Sequence, residues 1–368
     1  MQARDLGFGQ RLPAGVQEAM LEFRTAGFNP YAVKYSPFFD SRLCVSAGAN
    51  FGLVGNGRLF ILNLTDRGIV CEKFFETQDC LFDTAWSESH ENQLLTAGGD
   101  GSVKLFDINL SEFPIASWSE HGREVFSVHW NLGHKTTFLS SSWDGTVKIW
   151  NPESKTSLLT LPVHSCVYSA QFSPHNPDII TAVARDSHLR VWDLRTPASA
   201  SNHLTLAIPI HAPPKMTPAN FTPTSVGPTE CLTHDWNKYR DTIVATAGVD
   251  GMIRTFDIRQ PSGPMAVLPG HEYAVRKISW SPHLSDVLLS ASYDMSCRVW
   301  TDGSAMGVDH AKMNIPTGQG AREMGRMDRH TEFAMGVDWC LFGAEGWCAT
   351  CAWDERVLVW DVREFMRR

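Results

Sequence analysis

The stretch Thr137-Phe-Leu-Ser-Ser-Ser-Trp-Asp-Gly-Thr-Val-Lys-Ile-Trp150 decides the fold. Both of its ends are short runs rich in β-branched and aromatic residues, which is typical of β-strands. Between them, Trp143-Asp144-Gly145 predicts a tight hairpin turn, because glycine adopts positive φ angles at little steric cost. A further run of this kind, Val125–Trp130, precedes the hairpin. The segment therefore predicts several short antiparallel strands in succession.

The same pattern recurs along the chain as an apolar strand, a turn ending in Asp, and a short strand closing on Trp or Phe six residues later. The base interval of about 43 residues matches one four-stranded blade of a β-propeller. The clear copies are Asp100–Phe106, Asp144–Trp150, Asp186–Trp192, Asp250–Phe256, Asp294–Trp300 and Asp354–Trp360, with a weaker first copy at Asn56–Leu62. The sequence therefore predicts an all-β protein, a seven-bladed WD-repeat β-propeller.

The propeller is assigned to residues 20–366, after a mobile tail at 1–19. Leu21-Glu22-Phe23 precedes the first copy without a partner there, so we expect it to supply the outer strand of blade seven and close the ring. Two intervals exceed the base period. We interpret about 196–228 as a proline-rich loop with one strand near Leu204–Ile208. We interpret 301–329 as a disordered, Gly- and Met-rich insertion, the alternative being that its methionines form an adaptable contact surface.

Two sets of residues resemble the buried hydrogen-bonded tetrad of WD repeats: His121, Ser142, Asp144 and Trp150, and His271, Ser292, Asp294 and Trp300. In blades four and seven, Ala184 and Ala352 replace the serine of this alignment. We expect these histidines and aspartates to be structural, because a satisfied buried polar network fixes blade geometry without needing to catalyse anything.

Composition excludes several classes of function. The 368-residue chain has a formal net charge of −8, whereas nucleic-acid binding needs a basic surface. Its nine scattered cysteines indicate reduced thiols, and no apolar run approaches the ~18 residues of a membrane span. Cys348 and Cys351 form a CxxC pair within a predicted strand, where residues three apart face opposite ways. We expect no enzyme, no cofactor, no metal site and no membrane-spanning segment.

The candidate binding surface follows from the propeller geometry of WD-repeat proteins. Their narrow face is formed by the loops before the innermost strands and by the hairpins before the closing strands. The innermost strands align by closing aromatics, from Tyr35 in blade one to Trp339 in blade seven. Apolar clusters rimmed by charge mark binding sites, so we expect an amphipathic segment with apolar anchors and basic residues. The candidate residues are Tyr31, Asp79, Phe82, Glu124, Phe126, Trp143, Tyr168, Arg185, Glu230, Leu232, Arg276, Tyr293, Phe333, Met335 and Trp353.

Several segments depart from the general repeat consensus, and these resemble the peroxin-7 family, the WD-repeat receptors for the type-2 peroxisomal targeting signal. They include Tyr35-Ser-Pro-Phe-Phe-Asp40, Asn50-Phe-Gly-Leu-Val-Gly-Asn-Gly57, Gln78-Asp-Cys-Leu-Phe-Asp-Thr-Ala-Trp-Ser-Glu88, Glu124-Val-Phe-Ser-Val128, Ser290-Ala-Ser-Tyr-Asp294 and His330-Thr-Glu-Phe333. The resemblance implies a receptor that shuttles between cytosol and peroxisome. It implies cargo such as 3-ketoacyl-CoA thiolase with a basic, helical N-terminal signal, a co-receptor peroxin, and docking peroxins at the membrane. Asp79 and Glu124 would then face basic residues of the signal.

Rival interpretations remain open at this point. Trp192-Asp-Leu-Arg195 and Trp360-Asp-Val-Arg363 resemble the WDxR signature of substrate adaptors of cullin-type ubiquitin ligases. A histone-binding propeller would also suit an acidic surface. Copurification of a ligase scaffold or of histones distinguishes these alternatives from an import receptor, and a turnover assay distinguishes an enzyme.

Overall fold

The computed structural model describes residues 20–110, 112–210, 229–304, 320–342 and 345–366. They form seven four-stranded antiparallel sheets arranged as the blades of a propeller, which confirms the predicted fold class. The first four blades are β2 (Asn29–Tyr35), β3 (Arg42–Gly48), β4 (Gly57–Thr65) and β5 (Gly68–Thr77); β6 (Leu81–Trp86), β7 (Gln93–Gly98), β8 (Val103–Asp107) and β9 (Ala116–Trp118); β10 (Val125–Trp130), β11 (Phe138–Ser142), β12 (Thr146–Trp150) and β13 (Leu159–Pro162); and β14 (Val167–Phe172), β15 (Ile179–Ala184), β16 (His188–Asp193) and β17 (Leu204–Pro209).

The remaining blades are β18 (Cys231–Trp236), β19 (Ile243–Gly248), β20 (Ile253–Asp257) and β21 (Ala266–Leu268); β22 (Val275–Trp280), β23 (Val287–Ser292), β24 (Cys297–Thr301) and β25 (Arg322–Met327); and β26 (Ala334–Trp339), β27 (Trp347–Ala352) and β28 (Arg356–Asp361) with β1 (Met20–Arg24). Helical structure in the described ranges is confined to single turns at Ala49–Gly52, Ala198–Ser201 and Val362–Glu364. No helix in these ranges is long and apolar enough to cross a membrane.

The ring is closed by the N-terminal strand. β1 pairs antiparallel with β28, from Met20 opposite Trp360 to Arg24 opposite Arg356, as the sequence predicts. Leu21 is buried, and Glu22 accepts a hydrogen bond from Arg356 at 2.5 Å. β1 forms the outer strand of blade seven and pairs with the backbone groups of β28. The edge of β28 is therefore not exposed where the ring closes.

Blade cores lie between neighbouring sheets. Strands near the axis are packed against a blade on each side, so Val287–Ser292, for example, is buried along its whole length. One such core joins Leu95 and Val103 of blade two to Val125 and Trp130 of blade three. The closing aromatics of the inner strands are buried, with Trp236 and Trp280 each about 1% exposed. These closely packed apolar cores hold neighbouring blades in fixed positions around the axis.

The tetrads are present, but the serine assignment from the sequence is wrong. His121 contacts Ser140 rather than Ser142, with 2.8 Å between Nε2 and Oγ, and Trp150 Nε1 donates to the same Oγ at 2.8 Å. His121 Nδ1 lies 2.7 Å from Asp144. Ser142 instead donates to the backbone carbonyl of Arg123 at 3.1 Å. Both serines lie on the same face of β11, so alternation alone does not distinguish them.

Blades six and seven repeat the corrected arrangement. Ser290, not Ser292, links His271 at 2.6 Å with Trp300 at 2.8 Å. In blade seven Thr350 takes the serine position, 3.0 Å from His330 and 3.3 Å from Trp360. Blade seven therefore has a complete tetrad, and the alanine at 352 removes nothing from it.

The inner strands line an axial channel in which side chains of one blade cap the backbone of the next. Asp83 of blade two accepts from the Val128 N–H at 3.3 Å, and Asp235 accepts from the Trp280 N–H at 2.7 Å. Asp338 accepts from the Tyr35 N–H at 2.9 Å and pairs with Lys34 at 3.3 Å. These contacts satisfy edge N–H groups that inner strands would otherwise leave free.

The two long intervals are only partly insertions. Leu204–Pro209 is the outer strand of blade four, which confirms the strand expected there, whereas 211–228 lie outside the described residues. The expectation of disorder across 301–329 is wrong for Arg322–Met327, which pairs with β24 as the outer strand of blade six and buries Met324 and Met327. Residues 1–19 and 305–319 lie outside the described residues, so the predicted tail stays a prediction.

Candidate functional site

Each of the seven inner strands carries a β-bulge at the same position, four residues before its closing aromatic. The ladder between first and second strand skips one residue there in every blade. A bulge frees the extra residue from the ladder and redirects its side chain. The skipped residues are Tyr31, Phe82, Phe126, Tyr168, Leu232, Arg276 and Met335.

All seven bulged side chains line one axial funnel with a cavity volume of about 1010 Å³. All the other candidate residues also line it, except Asp79 and Arg185. The structure therefore brings together side chains from every blade that are dispersed over most of the sequence. The lining also includes Val249 and Ala274, which the repeat alignment places on the narrow face, and residues that nothing in the sequence indicated, namely Phe51, Gly52, Leu53, Glu272, Tyr273 and Met295.

The repeat alignment carried a signal for some of these residues and none for others. Val249 occupies the position before a hairpin aspartate, as Trp143 does in blade three, so the repeat alignment contained a signal for it. Phe51 and Leu53 lie in the β3–β4 connection of blade one, which lacks the Asp-to-aromatic turn and gave no such signal. Phe51 has a positive φ of 57°, and Asn29 Oδ1 accepts from its N–H at 2.8 Å.

The connection in blade one is anchored directly to the funnel wall. Tyr31 donates its hydroxyl hydrogen to the Phe51 carbonyl at 2.5 Å, and Asn29 Nδ2 donates to the Trp353 carbonyl at 2.8 Å. Gly52 has a positive φ of 68°, and a Cβ there would lie 2.5 Å from the Tyr31 hydroxyl. Only glycine fits this position, so the backbone of this loop is part of the site.

One side of the funnel is a stack of aromatic rings. The Phe126 ring stacks between Phe82 and Trp143, with ring centroids 4.5 Å apart in both pairs and interplanar angles of 10° and 6°. Tyr168 meets Phe126 edge-on at 5.9 Å. Such rings present large, rigid apolar area at small entropic cost, which is why aromatics are enriched in interface cores.

The opposite side is built from blades one, six and seven. Trp353 contacts Tyr31 at 5.6 Å, Phe51 at 5.4 Å and Phe333 at 5.4 Å between ring centroids. Phe333 stacks on Tyr293 at 4.7 Å, and Tyr31 meets Phe82 at 5.1 Å. The two sides therefore join into one nearly continuous aromatic wall.

Carboxylates lie at the rim, and two of them are paired with rim arginines. Glu124 pairs with Arg123 at 3.4 Å, and Glu230 pairs with Arg185 at 3.0 Å. Glu230 also accepts a hydrogen bond from Tyr168. Burial and this neighbouring carboxylate raise the pKa of Tyr168, so its hydroxyl stays protonated and donates. Arg185 thus belongs to the rim through Glu230 although it does not line the funnel.

Asp79 lies beside the funnel rather than in it. Its Oδ1 accepts from the Cys80 N–H at 2.8 Å, and a Cβ added to Gly99 would lie 3.0 Å from that oxygen. Within the described parts of the chain, no basic side chain pairs with Asp79. Its carboxylate is therefore held in place by the backbone.

The described residues contain no cluster of three or more His, Cys, Asp or Glu side chains able to hold a metal ion. Cys348 and Cys351 lie in β27, as predicted, and both are buried. Burial raises the pKa of both thiols, which favours the unreactive protonated form. The tetrad histidines do not line the funnel.

The arginines of the two WDxR segments have a local role. Arg195 pairs with Asp193 at 2.7 Å, and Arg363 pairs with Asp361 two residues earlier. Arg259 pairs with Asp257 at 2.8 Å in the same way, although Phe256 stands there instead of tryptophan. This pairing accounts for the arginine without a ligase partner.

Fold and site together define a WD-repeat β-propeller with an aromatic axial funnel. The family described as "WD domain, G-beta repeat" matches residues 112–151, 155–193 and 262–301. The chain is 42% identical to the Peroxisomal targeting signal 2 receptor of Saccharomyces cerevisiae over 93% of this chain and 99% of that protein. It is 40% identical to the receptor of that name from Komagataella phaffii, over 94% and 99%, and 41% identical to Peroxisome biogenesis protein 7 of Arabidopsis thaliana, over 91% and 96%. The chain belongs to the family of peroxisomal targeting signal 2 receptors.

Proposed function

We propose that this protein is an import receptor that binds the type-2 peroxisomal targeting signal of its cargo in the axial funnel. The observation that carries the proposal is the convergence of seven bulged side chains, most of them apolar, on one cavity of about 1010 Å³. The relatives named as receptors for this signal support the identity of the ligand. The protein acts by binding, and we assign it no catalytic step.

The funnel suits an amphipathic, basic helix of the kind that a type-2 signal forms. Apolar side chains of the helix would pack on the Phe82–Phe126–Trp143 stack and on Trp353. Basic side chains of the helix would pair with Asp79. They would also displace Arg123 from its ion pair with Glu124 and take its place. Electrostatic complementarity of this kind mainly raises association rate and specificity, while the buried aromatic anchors supply affinity.

A co-receptor peroxin would complete the site. Leu53 and Tyr273, which line the funnel, are 83% and 63% exposed, and Val54 next to Leu53 is 74% exposed. A helix lying in the funnel leaves such rim groups available, so a second protein would cover both the helix and the rim. Cargo such as 3-ketoacyl-CoA thiolase, subsequent docking to peroxins at the peroxisomal membrane, and shuttling between cytosol and peroxisome complete the proposed cycle.

The test is capture of a fluorescent thiolase signal peptide in the presence of co-receptor. Phe126→Ala should weaken capture about thirtyfold or more, since truncating a central aromatic anchor costs ~2 kcal/mol or more. Asp79→Lys should weaken it comparably, because attraction becomes repulsion. Phe113→Ala and Glu112→Lys are matched controls, since both residues are exposed and neither lines the funnel. Normal capture by both site variants would place the signal elsewhere on the propeller.

A further inference from the structure

Arg276 is the charged member of the seven bulged residues. It belongs to β22 of blade six, and its residue exposure is only 8%. Its guanidinium carbon lies 5.8 Å from the ring centroid of Phe126, which belongs to blade three. A side chain from blade six that reaches a ring of blade three crosses the axis of the propeller. The guanidinium therefore forms part of the floor of the aromatic funnel.

The other enclosed arginines of the propeller have carboxylate partners. Arg298 pairs with Asp294 at 3.0 Å and Glu323 at 2.7 Å, Arg254 pairs with Asp250 at 2.7 Å, and Arg240 pairs with Asp302 at 2.6 Å. The neighbouring Lys277 lies 3.9 Å from Asp83 in the channel below. Arg276 has neither an ion pair nor a hydrogen-bond acceptor among the side chains and carbonyls that the structure describes.

This lack of a partner constrains what can occupy the funnel. A guanidinium has five N–H donors and stays charged, and burying it without acceptors is costly. Arg276 tolerates its position because the funnel is open to water. A segment that fills the funnel removes that water, so an entirely apolar segment would leave the donors unsatisfied. Sites with buried polar groups reject ligands that lack the matching group.

We propose that Arg276 is a specificity-determining residue that requires a side-chain hydrogen-bond acceptor at the innermost position of the bound segment. The inference rests on the proposed function, because it concerns the same funnel. It adds a polar requirement at the floor to the apolar anchors of the wall and the acidic groups of the rim. The bound helix would therefore carry an acceptor on its apolar face, opposite its basic side chains.

The direction in which Arg276→Met changes peptide capture distinguishes a specific hydrogen-bonding role from simple charge repulsion. The proposed ligand is basic, so an arginine that makes no specific contact would only repel it. Arg276→Met would then strengthen capture. If Arg276 binds an acceptor of the ligand, the same substitution weakens capture, because both the hydrogen bonds and the charge that favours an acceptor are lost.

The experiment is a double-mutant cycle between receptor and peptide. Arg276→Met, Arg276→Lys and the control Arg259→Met are titrated with thiolase signal peptides in which each polar side chain is replaced in turn by leucine. Arg259 is exposed and paired with Asp257 outside the funnel. We expect Arg276→Met to weaken capture of the unmodified peptide about tenfold or more. Arg276→Lys should be intermediate, since lysine keeps the charge without the planar fork.

The cycle identifies the acceptor. At one peptide position, leucine should weaken capture by wild-type receptor but have little further effect with Arg276→Met, whereas the other positions should be additive within about twofold. Glutamine and glutamate at the coupled position then distinguish a neutral acceptor from a carboxylate. The melting temperature of Arg276→Met should stay near that of wild type, because Arg276 makes no ion pair or hydrogen bond among the described residues whose loss would destabilise the fold.

Three outcomes would overturn the inference: capture by Arg276→Met equal to or tighter than wild type, additivity at every peptide position, or loss of capture only in step with a lowered melting temperature. The Phe126→Ala variant separates this inference from the proposed function. If Phe126→Ala loses capture while Arg276→Met retains it, only the role of Arg276 fails. If Phe126→Ala also retains capture, the funnel is not the signal site.

Discussion

Ser140→Ala tests how the blades are held together. Trp150 Nε1 can only donate, so Ser140 Oγ, 2.8 Å away, accepts from it. The serine hydroxyl then donates to His121 Nε2 at 2.8 Å, and His121 Nδ1–H donates to Asp144 at 2.7 Å. This assignment satisfies every member of the chain with a neutral imidazole. Burial alone would raise the pKa of Asp144, but hydrogen bonds from His121 and Thr146 lower it well below its usual value.

The substitution removes the central link of this chain. It leaves the indole N–H and one imidazole nitrogen buried without partners, and each such group costs about 1–3 kcal/mol. We therefore expect Ser140→Ala to lower the free energy of unfolding by about 2–6 kcal/mol. Ser142→Ala loses contacts to the Arg123 carbonyl at 3.1 Å and the Asp144 N–H at 3.0 Å. Those groups lie in a hairpin region that water can reach, so we expect about 1 kcal/mol there.

The assay is urea-induced unfolding followed by far-ultraviolet circular dichroism, with both variants compared at pH 7. The pair Ser290→Ala and Ser292→Ala repeats the comparison in blade six, where His271 and Trp300 contact Ser290. If the serine nearer the hairpin were equally or more costly in both blades, the assigned chain of hydrogen bonds would be refuted.

Three other predictions concern acid, ring closure and salt. Burial lowers the pKa of His234 to about 3, whereas an unfolded histidine titrates near ~6.5. Between these values the unfolded chain binds the additional proton, so this contribution to stability is present above pH ~6.5 and is lost at about 1.4 kcal/mol per pH unit as pH falls. His234→Gln should reduce the slope of unfolding free energy against pH by one proton, and an unchanged slope in urea titrations at pH 5 and 7 would contradict this. A chain beginning at Thr25 should melt at a lower temperature and self-associate more than a chain beginning at Met20, because the edge of β28 is exposed. Thermal melts and light scattering measure these two effects, and equal behaviour of the two chains would mean that β1 is dispensable. Cargo capture should weaken with added salt, since the Debye length is only ~10 Å at 0.1 M. Asp79→Asn should make capture less dependent on salt in anisotropy titrations. A salt dependence unaffected by the substitution would exclude an ion pair between Asp79 and the signal.

Periodicity predicted the fold because the repeat places the same residue types at the same depth in every blade. The closing aromatics from Tyr35 to Trp339 end the inner strands as expected. The tetrad serine was misplaced because Ser140 and Ser142 differ in depth along β11 rather than in face, and depth is not encoded by alternation. The strand at Arg322–Met327 was missed because its buried positions, Met324, Gly325 and Met327, do not alternate with its less buried ones, so the sequence shows no strand-like period of two.

The candidate site was predictable only in part for a related reason. Aligning the repeats predicted Phe82, Phe126 and Tyr168 as neighbours, and the structure places them in contact. The contribution of Phe51 depends on a loop that is particular to blade one, so the repeat carried no information about it. That Arg276 has no described acceptor is a property of three-dimensional packing, because its guanidinium reaches across the funnel to Phe126 of blade three.

Closure by β1 also determines when blade seven can form during synthesis of the chain. The strand at Met20–Arg24 leaves the ribosome first, but its partner ends only at Asp361. At translation rates of about 5–20 residues per second, the two halves of blade seven are separated by roughly 20–70 s of synthesis. During that time the first strand has no ladder to join, and the most recently completed blade presents an open flank that invites aggregation or chaperone binding. Because every blade contributes at least one residue to the funnel, the funnel is complete only after the last blade has emerged. Under the proposed function, a partly synthesised chain could therefore not yet bind cargo.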